Sequence, residues 1–240
     1  MSFIKKITIK GHKLRLFLFL ILIPCFVLAE IGTEDYRKYH STKSKFKLEK
    51  SAQGLNYPWA LTFIDKVNVL LTEKDGGLYK VNVLTGVKEK IKHEIAHIGY
   101  DGSGQGGLLD VYFYPPDGYV YFTYSHKSSK LTRSKQISKK SSTAIARGRL
   151  IENEIKDFEI LLIAKPEFLE NKHYGSRLAI KGDDLFASFG ERGQGMISQD
   201  STKHPGSIIR IKTNGEIPKD NPRFKGKKDW LPEIYVIGVR

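Results

Sequence analysis

Short apolar segments separated by turn residues succeed one another along the chain from residue 58 onward. The segments are rich in Val, Ile, Leu, Tyr and Phe, and the positions between them are occupied by Gly, Asp and Asn. This pattern is typical of antiparallel β-strands joined by tight turns. No apolar stripe of helical period appears after the first 29 residues. We therefore expect an all-β protein.

The strand pattern occurs three times, in copies that begin at Pro58, Gly107 and Ser176. Further strands are predicted at residues 67–72, 78–83, 119–124, 144–151, 185–189 and 207–211. Four antiparallel strands per copy would form one blade of a β-propeller, and blades bury their faces only against neighbouring blades. The predicted fold is therefore a partial β-propeller of about three four-stranded blades, over residues 52–240.

The first 29 residues have the composition of an export signal and predict a signal helix. Five basic residues precede an apolar run from Leu16 to Ala29, which is too short for a comfortable membrane span. Val27 and Ala29 fit the small-residue pattern before a cleavage site. We expect cleavage after Ala29 and a periplasmic location; the alternative is an uncleaved membrane anchor. Residues 30–51 are predicted to be a polar leader with a strand at 46–48.

Cysteine usage and charge exclude several classes of site. The single cysteine, Cys25, lies in the predicted signal, which excludes disulfide frameworks and thiolate metal sites in the exported part. The formal net charge is +14, but the lysines are scattered and not interleaved with aromatic residues, so we do not expect a nucleic-acid partner. The densest basic patch, Lys127–Arg149, is predicted to be mostly a solvated loop, with an anion-binding role as the alternative.

A histidine and a carboxylate flank one predicted hairpin. His173 lies just before the third copy, and Glu191 follows the next predicted strand. Two antiparallel strands would bring both to one edge of a sheet, where a carboxylate fixes the tautomer of an imidazole and makes it a better base. The alternative is an ordinary loop histidine and a solvated turn residue. In a propeller, the loops that lead into the innermost strands line a central channel. Gln105, in the loop before the second copy, is therefore predicted to face the same channel as His173 and Glu191, which favours a functional role for His173.

Seven phrases carry a resemblance: PWALTF, GQGGLLDVYFYP, HYGSRL, FGERG, GSIIRI, GEIPKDNP and PEIYVIG occur in this order. Together they resemble the soluble aldose sugar dehydrogenases that use pyrroloquinoline quinone, the glucose/sorbosone dehydrogenase family, from about Leu55 to the last residue. The resemblance implies a six-bladed propeller in the periplasm. It also implies calcium-dependent oxidation of an aldose at C1 to the lactone, with an external electron acceptor.

The resemblance also implies roles for individual residues. His173 matches the general base for the sugar hydroxyl, and Glu191 matches the acidic residue that orients it, where the family usually has Asp. Gln105 matches a glutamine at the quinone and the sugar C1 oxygen. Arg240 matches an arginine that contacts the quinone. No metal ligand is assigned within this sequence, because the family's calcium ligands are expected beyond Arg240.

The sequence departs from the family pattern in two ways, in its length and at position 239. The family continues after the matching arginine for about half of its length, and Val239 stands where it usually has a histidine. The expectation is an N-terminal half, completed by a missing C-terminal half or by a homodimer, with activity impaired by truncation. The alternative is a non-catalytic propeller fragment that acts as a binding module or is a truncated gene product.

Overall fold

The computed structural model describes residues 38–40, 45–100, 102–128, 130, 139–223, 226 and 229–239. The predicted signal, residues 1–29, and Arg240 lie outside the described residues. The chain divides into two compact units, Met1–Glu49 and Lys50–Arg240. In the described part of the first unit, β1 (Lys38–His40) and β2 (Lys45–Lys47) form an antiparallel pair. The sequence predicted β2 within one residue but not β1.

The second unit consists of three antiparallel sheets of four strands each, in which neighbouring strands follow one another along the chain. The first blade contains β3 (Pro58–Phe63), β4 (Asn68–Glu73), β5 (Leu78–Asn82) and β6 (Lys88–Lys90). The second contains β7 (Leu108–Tyr114), β8 (Tyr119–Lys127), β9 (Ser141–Ile151) and β10 (Glu154–Ile163). The third contains β11 (Gly175–Lys181), β12 (Asp184–Phe189), β13 (Ser207–Lys212) and β14 (Ile234–Ile237), with a 3₁₀ helix at Gly195–Gln199. The predicted partial propeller of three four-stranded blades is confirmed.

The turn between β11 and β12 illustrates why the sequence folds this way locally. Lys181 pairs with Asp184, so Gly182 and Asp183 form a two-residue hairpin turn. Gly182 has a φ of +60°, which a residue with a side chain rarely adopts and which the first central position of a type II′ turn requires. After the turn, the residues of β12 alternate between buried and partly exposed, as expected for a strand that packs on one face.

The basic patch between residues 127 and 149 corrects one prediction. Residues 141–149 belong to β9, and the side chains of Ser141–Ala146 are buried. Thr143 Oγ1 compensates for its burial by donating to the carbonyl oxygen of Tyr174 at 2.7 Å, whereas Ser142 Oγ is buried without a hydrogen-bond partner among the described residues. The prediction of a solvated loop was therefore wrong for Ser141–Thr143, because polar composition was taken for exposure, whereas the strand predicted at residues 144–151 is confirmed.

The core consists of the interfaces between successive blades. One cluster joins the first and second blades around Leu70 and Phe122, and another joins the second and third around Ile145 and Leu185. The first strands of the blades, β3, β7 and β11, contact one another in sequence. On the opposite face of the first blade, Trp59, Leu61 and Phe63 of β3 are exposed.

Asp110 on β7 ties the second blade to the third. Its buried carboxylate accepts hydrogen bonds from the backbone N–H of Leu178 (2.7 Å) and from Nη1 of Arg177 (2.8 Å). Desolvation raises the pKa of Asp110 and outweighs these two bonds, which favour the ionised form. Thr123 Oγ1 donates to the carbonyl oxygen of Ser176 at 2.8 Å. These bonds fix the start of β11, and with it the loop that carries His173, against β7.

Within the described residues we find no helix whose length and apolar character would let it cross a bilayer.

Candidate functional site

His173 and Glu191 lie in contact at one end of the third blade. His173 precedes β11 and Glu191 follows β12, and Gly175 pairs with Phe189 across the two strands. His173 Nδ1 lies 2.6 Å from Oε1 and 2.9 Å from Oε2 of Glu191. Because an ionised carboxylate can only accept hydrogen bonds, the proton belongs on Nδ1 and the lone pair on Nε2. The arrangement leaves Nε2 as a proton acceptor.

The exposure of the two side chains is unequal. The His173 side chain is 24% exposed and that of Glu191 is 10% exposed. The carboxylate is thus shielded and held, while the imidazole remains open to a ligand. A shielded orienting group beside an accessible imidazole is the arrangement expected of a general base.

The loop before β7 supports the backbone of His173. Gln105 Oε1 accepts a hydrogen bond from the His173 N–H at 2.7 Å, and the Gln105 N–H donates to the carbonyl oxygen of Asn171 at 2.9 Å. The Gln105 side chain is exposed, and its Oε1 is the atom that this bond engages. The structure therefore brings together three of the four residues that the sequence suggested, and the fourth, Arg240, lies outside the described residues.

Two backbone features at His173 are unusual. His173 has a φ of +50°, in the left-handed region that non-glycine residues seldom occupy. Gly190 lies directly beneath it: a Cβ built on Gly190 would be 2.2 Å from the carbonyl oxygen of His173. The glycine before Glu191 is thus required for the two loops to approach one another.

Sequence reasoning missed Asn171 and Arg192. The Asn171 side chain accepts from the Gly106 N–H at 3.2 Å and donates to the carbonyl oxygen of Ser103 at 3.1 Å, so it joins the glycine-rich loop to the His173 loop. Arg192 is buried beside Glu191. The only sequence signal for either was proximity to His173 and Glu191, which does not distinguish a supporting residue from a surface one.

His93 and His97 lie elsewhere in the structure. His93 Nε2 contacts the carbonyl oxygen of Gly76 at 2.7 Å, and the His97 ring packs edge-on against His126. In the part of the chain that the structure describes, no three His, Cys, Asp or Glu side chains gather in a way that could hold a metal ion.

A second histidine–carboxylate pair is almost fully buried and supports the same blade. The backbone N–H of Lys165 donates to His204 Nδ1 at 2.9 Å, so Nε2 carries the proton that it donates to Glu233 Oε1 at 2.6 Å. Burial opposes ionisation of Glu233, but the hydrogen bonds that its carboxylate accepts, above all the bond from His204, hold its pKa below the ordinary value. With both ring nitrogens engaged and the His204 side chain only 5% exposed, this pair is structural.

Replacement of Glu233 by glutamine is expected to lower the free energy of unfolding at neutral pH by about 1–3 kcal/mol. A carboxylate with a depressed folded-state pKa contributes stability above its unfolded pKa, about 4.3, and loses it as the pH falls through the folded pKa. The Glu233→Gln protein should therefore lose less stability than the wild type between neutral and acid pH. Urea unfolding across this range measures both effects. Glu159→Gln, which removes a surface ion pair with Arg147, is the control, and an equal loss in both variants would contradict the expectation.

Comparison of the sequence with known proteins points to one group of enzymes. Residues 55–240 match the profile of the glucose/sorbosone dehydrogenases. The chain is similar to the aldose sugar dehydrogenase of Escherichia coli K12, with 31% identity over 78% of this chain and 49% of that protein. It spans about half the length of the curated relatives it matches.

Solved structures give the same result. A glucose dehydrogenase superposes with a TM-score of 0.70 and 27% identity, over 80% of this chain and 54% of that one. The aldose sugar dehydrogenase of Streptomyces coelicolor, solved in its form with pyrroloquinoline quinone bound, superposes with a TM-score of 0.62 and 26% identity, over 79% and 52% of the two chains.

Proposed function

The chain belongs to the glucose/sorbosone dehydrogenase family, and on that premise we propose that it oxidises an aldose at C1 to the lactone, with pyrroloquinoline quinone as electron acceptor and His173 as general base. The observation that carries the proposal is the contact of His173 Nδ1 with both carboxylate oxygens of Glu191, at 2.6 and 2.9 Å, which leaves Nε2 available to a substrate hydroxyl.

His173 Nε2 accepts the proton of the C1 hydroxyl, and the resulting imidazolium is stabilised by the carboxylate at Nδ1. General-base assistance of this kind contributes about 10²- to 10⁴-fold in rate. The carboxylate also prevents the ring from rotating, so the lone pair keeps its direction. By resemblance, relatives have Asp at the position of Glu191; the longer side chain reaches Nδ1 at hydrogen-bond distance, so the substitution is compatible with the same role.

Gln105 fixes the substrate oxygen. Its Oε1 is occupied by the His173 N–H at 2.7 Å, so its NH₂ group is the part that can donate to the C1 oxygen or to a quinone oxygen. Since one side chain binds both the base and the substrate oxygen, the distance between them is controlled directly, and such positioning accounts for much of enzymatic rate enhancement.

The residues around this opening fit an anionic quinone. Bound there, the quinone supplies the acceptor for the two electrons and the hydrogen that leave C1. Carboxylate and quinone oxygens need cations and hydrogen-bond donors, and the loops at this end provide Lys74 and the Gln105 amide. Lys74 Nζ donates to the carbonyl oxygen of Gly104 at 2.6 Å, next to Gln105. By resemblance, Arg240 would add a further cation.

The family resemblance also implies a calcium ion. Unlike the quinone, calcium has no candidate ligands here, because the described residues offer no cluster of three or more His, Cys, Asp or Glu side chains. No step of the proposed reaction is assigned to calcium.

The proposal is tested by dye reduction with glucose, added quinone and calcium. The full chain is assayed alone and together with a separately expressed segment that corresponds to the part of the relatives that it does not span. We expect quinone-dependent dye reduction with lactone as product in at least the second assay. Absence of turnover in both assays, or turnover that persists without quinone, would refute the proposal.

A further inference from the structure

Arg192 follows Glu191 and is one of the most deeply buried large side chains in the described structure, with 2% exposure. Resting on the proposed function, we propose that Arg192 is a positioning residue: it fixes the backbone of the loop formed by residues 170–174, so that His173 stays in contact with Glu191.

The Arg192 guanidinium bonds to backbone on both sides of Asn171. Nε donates to the carbonyl oxygen of Lys172 at 2.9 Å, and Nη2 donates to the carbonyl oxygen of Glu170. On its other side, Nη1 donates to the carbonyl oxygen of Ser141 at 2.8 Å, and Nη2 reaches Ser141 Oγ at 3.3 Å. The loop is therefore fastened to the start of β9, a rigid strand of the neighbouring blade.

The face of the guanidinium is occupied as well. It lies over the ring of Tyr174 with 3.7 Å between the guanidinium carbon and the ring centroid, the geometry of a cation–π contact. The Tyr174 hydroxyl is in turn 2.7 Å from Ser141 Oγ and donates to Asn171 Oδ1 at 3.1 Å. Only a planar group with several donors can satisfy these carbonyls and this ring together, so lysine is not an equivalent residue here.

The His173 loop needs such support because of its backbone conformation. A left-handed residue that is not glycine is strained. The carbonyl oxygen of His173 accepts the Arg192 N–H at 3.2 Å, while Glu191 holds the imidazole. Two consecutive residues thus have complementary roles, since Glu191 orients the His173 side chain and Arg192 immobilises the backbone that carries it.

The burial of a charge at this point also favours a positioning role. Desolvation lowers the pKa of Arg192, which means that the fold bears a cost for placing a cation here. An apolar side chain could fill the same space without that cost. The hydrogen bonds to the loop are what an apolar residue could not supply.

The test measures the tautomer of His173 in the full chain, without quinone or sugar, by nitrogen-15 NMR of labelled histidine; the His173→Asn protein assigns the signals. The wild type is expected to hold the proton on Nδ1. In Arg192→Lys the ratio of the Nδ1–H to the Nε2–H form should fall by about tenfold or more, as the bond to Glu191 is lost. Arg210→Lys is the control, since Arg210 pairs with Asp184 and Asp220 on the other face of the third blade, and its ratio should match the wild type.

An unchanged ratio in folded Arg192→Lys, even with a lower melting temperature, would overturn the proposal, because a purely structural role lowers stability without moving the tautomer. If Arg192→Lys does not fold, Arg192→Gln, which removes both the buried charge and the planar fork of donors, is measured instead; a shift in the same direction supports the proposal and an unchanged ratio overturns it. The tautomer measurement and the sugar oxidation assay can fail independently of one another. Failure of sugar oxidation leaves the tautomer result intact, and an unmoved tautomer leaves the oxidation assay intact.

Discussion

Replacement of His173 by asparagine is expected to lower the turnover number of sugar oxidation by about 10²- to 10⁴-fold, the usual contribution of a general base. Asparagine tolerates the left-handed backbone at this position, where φ is +50°, so the substitution removes the basic nitrogen without disturbing the loop. Dye reduction under saturating quinone and sugar gives the turnover number, and thermal unfolding checks that the fold is retained.

His97 provides the matched control. It is also a histidine with a left-handed backbone, at φ +61°, and its side chain is exposed. The His97→Asn protein should keep wild-type turnover. If both variants lose activity equally, or if His173→Asn remains fully active, His173 is not the base.

Replacement of Gly190 by alanine is expected to abolish the His173–Glu191 contact and to lower the free energy of unfolding by about 1–3 kcal/mol, the usual cost of overpacking. The added Cβ would be 2.2 Å from the carbonyl oxygen of His173 and 2.6 Å from its carbonyl carbon. Both obstacles are backbone atoms, so the clash can be relieved only if the His173 loop moves away from β12. Urea unfolding and the sugar oxidation assay measure the two consequences.

Gly182 separates the effect of the clash from that of a lost glycine. It has a φ of +60°, and a Cβ there would meet no atom within 4 Å. Gly182→Ala should therefore cost stability through backbone strain alone and leave activity unchanged. Retention of wild-type activity by Gly190→Ala would show that the approach of the two loops is not needed for function.

Polar composition does not by itself show that a segment is exposed to solvent. The Ser-rich start of β9 was predicted to lie in a solvated loop, yet Ser141, Ser142 and Thr143 are buried. Two of the three hydroxyls, those of Ser141 and Thr143, are satisfied by Tyr174, a residue distant in sequence. The buried bond between His204 and Glu233 likewise has no counterpart in the sequence pattern.

By itself, the sequence determined most of the strands, the three blades and the edge at which His173 and Glu191 meet. These follow from local physics: the period of the apolar residues, the turn-forming glycines and the antiparallel pairing of consecutive strands place residues within a hairpin without knowledge of the rest. Only the tertiary structure decided that Gln105 binds the His173 backbone and that Arg192 is buried between Ser141 and the 170–174 loop. Those contacts join residues 68 and 51 positions apart, and they exist because the second blade packs on the third, which no local pattern encodes.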